Sequence, residues 1–178
     1  MESSKRFEEL IASYDALKRN ELVDLSADQD LSIAIMNLIS IEEHLYFTGA
    51  KTSNHKYFEL IEQVRELRKE LLEKILPNTE GEVWCISKHL LAASYRLMEV
   101  GNKSLTVKRE QAYDFFKKAY DLYILFWGLV MDILPIEAVA EQANALPSYL
   151  SNSAEKPNNN FFSKLRELVK KAVNCCIE

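Results

Sequence analysis

The chain is expected to be all-α, with an antiparallel four-helix bundle core and extra N- and C-terminal helices. Three observations predict this class. Apolar residues recur at three- and four-residue spacing along most of the 178 residues. Only four Gly and four Pro are present, and Gly49, Gly81, Gly101, Pro77 and Pro135 fall between periodic segments. The connections between residues 26 and 135 are short, which places successive helices side by side in opposite directions.

The elements follow in order. Phe7, Leu10, Ile11, Tyr14 and Leu17 make one stripe, predicting a helix over residues 4–19. A polar break ends at Ser26-Ala-Asp-Gln29, which has the capping-box pattern. The next helix runs to about Phe47 and stops near Gly49. Residues 51–55 read as a polar loop, followed by a helix over 56–76 that ends before Pro77. Thr79-Glu-Gly-Glu82 reads as a second capping box, opening a helix that closes at Gly101. A helix from 107 to 134 ends at Pro135, and a shorter one follows over 136–146. Residues 151–160 are turn-rich, and an amphipathic helix occupies 161–176. The whole reads as one helical domain, 1–178, with its core bundle at 26–135.

Composition narrows the function classes. Hydrophobic residues make up 48% and charged residues 28%, a globular balance with no disordered character. A net charge of -5 argues against a nucleic-acid surface, which needs clustered Lys and Arg. Cys175 and Cys176 are adjacent and Cys85 is distant, which is no disulfide framework. No apolar run reaches the roughly 20 residues that span a bilayer. With no leader pattern after Met1, the expected setting is cytoplasmic.

Two charges sit where charges do not belong. At about 100° per residue, Leu31, Ile35, Leu38, Leu45 and Tyr46 define the inward arc of one helix, and Glu42 falls within it. On the next helix Tyr57, Ile61, Val64, Leu71, Leu72 and Ile75 form the arc, with Arg68 inside it and Arg65 at its edge. A buried charge demands a partner, so Glu42 and Arg68 are expected to meet. The pair reads either as a buried salt bridge that fixes helix register or as the lining of a ligand site. Ser87 and Ser94, one heptad apart, lie within the arc of Val83, Ile86, Leu90, Leu97 and Met98. They admit a close helix neighbour or leave room for a ligand. The candidate internal polar site is therefore Glu42, Arg68, Arg65, Ser87 and Ser94.

Chemical motifs are sparse. Di-iron bundles use Glu-x-x-His pairs, and Glu42-Glu43-His44 is contiguous instead. Cys85 and His89 at i, i+4 supply two of the ligands a zinc site needs, and Cys85 is expected to be buried beside a surface His. His55 reads as a solvated loop residue. Nuclease members of the HEPN class carry an Arg four to six residues before a His, a spacing that His44, His55 and His89 lack. No residue set calls for a catalytic role, a metal or a cofactor.

The stretch Glu82–Gly101, with Ile41-Glu-Glu-His-Leu45 and Val64-Arg-Glu-Leu-Arg68, resembles a group of small prokaryotic helical-bundle proteins with no assigned activity, over about residues 28–130. That resemblance implies the fold and carries no activity.

The run from Leu122 to Met131 is apolar all round. Its Leu122, Tyr123, Leu125, Phe126, Trp127, Leu129 and Met131 are the candidate interface, to be wrapped by the C-terminal segments or by a partner. Phe161, Phe162, Leu165, Leu168, Val169, Ala172 and Val173 beside Lys164, Arg166, Lys170 and Lys171 form a basic amphipathic helix. Such a helix docks on its own bundle, a partner groove or a membrane surface. The expected function is a non-enzymatic interaction protein, a homodimer or adaptor. The alternative is a small-molecule-binding or enzymatic bundle with an internal Glu/Arg-lined pocket.

Overall fold

The computed structural model describes residues 12, 25–79, 81–132, 165–167 and 169. These are overwhelmingly helical and include no strand. Four long helices pack together: α1 (Ser26–Thr52), α2 (Lys56–Ile75), α3 (Glu82–Ser104) and α4 (Arg109–Val130). The helices expected over 4–19 and 136–146, the 151–160 linker and most of 161–176 lie outside the described residues, apart from helical Ala12, Leu165, Arg166, Glu167 and Val169. The chain divides into two compact units, Ala27–Tyr123 and a second made of Met1–Ser26 with Ile124–Glu178.

In the unit Ala27–Tyr123, Ile35, Leu72 and Leu91 are fully buried, each contributing about 1.5–3 kcal/mol of apolar burial. Small and polar residues then decide how closely the helices approach. Ser32 Oγ on α1 shares a 2.8 Å hydrogen bond with Tyr123 Oη on α4. Ser94 Oγ on α3 donates to the Ala119 carbonyl of α4 at 2.8 Å. Such a bond to a backbone carbonyl requires close helix axes, as Ser94 and Ala119 allow.

Two glycines expected to end helices lie inside them. Gly49 is buried within α1, and a β-carbon there would sit 2.8 Å from the Phe58 ring of α2. Gly101 is buried within α3, and its β-carbon would lie 2.5 Å from the Phe116 ring of α4. Both are glycine because an aromatic ring from the next helix occupies the space. The helix ends lie later. α1 terminates at Thr52, followed by Ser53 at φ 54°, and the Asn54 Oδ1 accepts from the Lys56 amide at 3.1 Å as α2 begins. His55, exposed, occupies the N-cap of α2.

The capping box expected at Thr79 does not form. Gly81 is the N-cap of α3, at φ 68°, and the Thr79 hydroxyl donates instead to the Pro77 carbonyl at 3.4 Å. The residue directly before the helix takes a positive φ, which glycine adopts freely and a threonine cap two residues earlier does not supply. Tyr46, placed by periodicity on the inward arc, is 56% exposed and packs edge-to-face on Phe47 at 5.4 Å.

Gly101→Ala is expected to destabilise the fold by about 1–3 kcal/mol in urea unfolding, because the ring has to be displaced. Phe116→Leu in the same chain should recover part of that loss. An unchanged unfolding midpoint for Gly101→Ala would show that the Phe116 ring yields freely.

Candidate anion-binding cleft

Glu42, midway along α1, reaches two arginines of α2. Its Oε1 accepts from Arg68 Nε at 2.5 Å and its Oε2 from Arg65 Nε at 3.3 Å. The Arg68 side chain is 6% exposed, Glu42 14% and Arg65 53%. One carboxylate thus bridges a buried guanidinium and a solvated one, three residues apart on one helix face. Arg68 stays inside an apolar arc because Glu42 supplies both a counter-charge and an acceptor.

These three residues open onto a cleft of about 510 Å³ between α1, α2 and α3. Lys69 joins them from α2, Ile39 from α1, and Trp84, Cys85, Lys88, His89 and Ala92 from α3. Four basic side chains therefore line a cleft with a single carboxylate, in a chain whose net charge is -5. Lys69 is shared with Glu66 at 2.6 Å, outside the cleft lining. Among the described residues, Lys88 and His89 form no ion pair, and no Nη group of Arg65 or Arg68 donates a hydrogen bond. Unused donors concentrated around a concave surface suit an anion.

The remaining expected site residues lie elsewhere. Ser94 is committed to the Ala119 carbonyl, and the Ser87 hydroxyl is fully buried with no hydrogen-bond partner. Neither lines the Glu42 cleft; Ser94 lines instead a second cavity between α1, α3 and α4. Cys85, expected to be buried, is exposed on the cleft wall, since α3 turns that face toward the opening. No group of three or more His, Cys, Asp or Glu among the described residues is placed to hold a metal ion.

The candidate interface divides by burial. Leu125, Phe126, Trp127 and Leu129 are buried within the chain, whereas Leu122, Tyr123 and Met131 are partly exposed. Phe126 and Trp127 pack edge-to-face at 5.4 Å, and Leu165 and Val169 of the same compact unit are buried too. A second cavity of about 460 Å³ lies between α1, α3 and α4, with an apolar lining that includes Ile33, Met36, Met98 and Phe116. No described helix is long and apolar enough to cross a membrane.

In the sequence Lys69 and Lys88 carry no mark of a site, and His89 reads as a surface residue. The available signal was register: Arg65 and Lys69 are i, i+4 on one helix, and Trp84, Lys88 and Ala92 are i, i+4, i+8 on the next. Either row alone reads as a surface stripe. Only their convergence on Glu42 makes a site. No family model, no curated protein and no solved structure matches the chain significantly.

Glu42→Ala is expected to destabilise the protein by about 3–5 kcal/mol, because it strands the buried Arg68. The bridge between Arg96 and Glu43, both side chains over 40% exposed, is the internal control. Glu43→Ala should cost under ~1 kcal/mol. Equal urea midpoints for the two variants would show that the Glu42 bridge has no special place in the fold.

Proposed function

We propose that this chain is a small-molecule-binding helical bundle that holds an anionic ligand in the cleft between α1, α2 and α3. The observation that carries this reading is the surplus of cations around Glu42. Arg65, Arg68, Lys69 and Lys88 line one concave surface, and two of them are held in place by an internal carboxylate. The bundle is read as antiparallel: contacts pair Gly49 with Phe58 and Glu42 with Arg68, then Gly101 with Phe116 and Ser94 with Ala119. Each set steps up one helix while stepping down the next. A cytoplasmic setting suits the exposed free thiol of Cys85.

The test is thermal unfolding across a panel of anionic and neutral metabolites at low salt. An anion at about a hundred times its Kd is expected to raise Tm by ~5 °C or more, and its uncharged analogue to leave Tm in place. A flat response to every anion removes the reading.

A second reading, a non-enzymatic interaction protein that self-associates or meets a protein partner, draws on α1. Tyr46 and Phe47 are 56% and 60% exposed beside each other, an apolar patch of the kind partners cover. The Leu122–Met131 run lends it less support, since its bulkiest members are buried. Sedimentation at high micromolar concentration is expected to give a dimer that Phe47→Asp returns to monomer; a strict monomer in the parent chain excludes self-association.

A further inference from the structure

We propose that the ligand of the Glu42 cleft is a phosphate monoester carried on a flat ring, a nucleotide-like molecule; this rests on the anion-binding reading above. The guanidinium geometry selects the anion. Each arginine has five N–H donors in a planar fork, and Glu42 meets both through Nε. The paired Nη groups of Arg65 and Arg68 form no hydrogen bond among the described residues. Two forks, three residues apart on α2, are thus oriented by one carboxylate; Arg65 is solvated and Arg68 reaches the cleft lining from a buried side chain. A carboxylate ligand has two oxygens and fills one fork. A phosphate monoester brings three acceptor oxygens and about 1.5–2 negative charges, enough to engage both forks.

The opposite wall completes the match. Lys88 of α3 adds a further cation without an ion-pair partner among the described residues. Trp84, Ile39 and Ala92 line the same cleft and provide the apolar part. An indole stacks on a flat ring in a way an aliphatic wall does not. The cleft volume of about 510 Å³ falls in the range of small-molecule sites. Glu42 is a positioning residue in this arrangement: it keeps the forks in place and repels any anion from their Nε edges.

Isothermal titration of the full chain at low salt, with adenosine 5′-monophosphate, inorganic phosphate, adenosine and succinate, tests the assignment. The nucleotide is expected to bind at least about tenfold more tightly than adenosine and more tightly than succinate, with affinity falling as salt rises. It should also quench fluorescence from Trp84, since Trp127 is fully buried in the other compact unit. Arg65→Gln, at a half-exposed position that leaves the fold intact by circular dichroism, should weaken the nucleotide by about tenfold. Trp84→Leu should weaken the nucleotide by ~fivefold and leave inorganic phosphate unchanged.

Succinate binding as tightly as the nucleotide overturns the phosphate assignment and leaves the anion cleft standing. Nucleotide affinity indifferent to both substitutions overturns it as well. If none of the anions binds, the cleft reading falls with it.

Discussion

A carboxylate shared between two guanidinium groups organises the packing of α1 on α2. Glu42 lies on α1, and Arg65 and Arg68 lie on α2. The bridge fixes one helix against the other in both height and rotation. Moving Glu42 by one turn, about 5.4 Å, would leave Arg68 in an apolar arc without a counter-charge, so few alternative registers remain. The same contact sets the cleft, because it determines which edges of the arginines are occupied and which stay open.

A second constraint is steric. On α3 the small residues Ser87, Ser94 and Gly101 recur at seven-residue spacing, and α4 answers with Ala112 and Ala119, both buried. A heptad row of small side chains allows two helices to lie close along several turns. Contacts of Ser94 with the Ala119 carbonyl and of Gly101 with the Phe116 ring fix that approach. The polar bridge acts on α1 and α2, and the small-residue row acts on α3 and α4.

Much of this was legible in the amino-acid order. Glu42 and Arg68 stood out because each interrupts an apolar arc, and an uncompensated buried charge is too costly to leave alone. The helix starts near Ser26 and Lys56 were legible, whereas the capping box read at Thr79–Glu82 does not form. What stayed hidden depends on long-range neighbours. Gly49 and Gly101 read as helix ends, since nothing nearby in sequence announces the rings of Phe58 and Phe116. The cations of the cleft read as two unrelated surface rows, because convergence between helices leaves no local trace. Cys85 was misplaced for a similar reason: a small, apolar residue gives no hint that its face opens on a cavity.

The division of labour among these residues has an evolutionary consequence. Gly49, Gly101 and Arg68 are locked by their surroundings, and any change there disturbs packing first. Arg65, Lys69 and His89 are exposed or half-exposed, so exchanging them alters the chemistry of the opening with little effect on the scaffold. Descendants of this sequence are therefore free to vary the charge of that opening while the rods beneath stay the same, and an engineer can alter it at those three positions without first re-stabilising the protein.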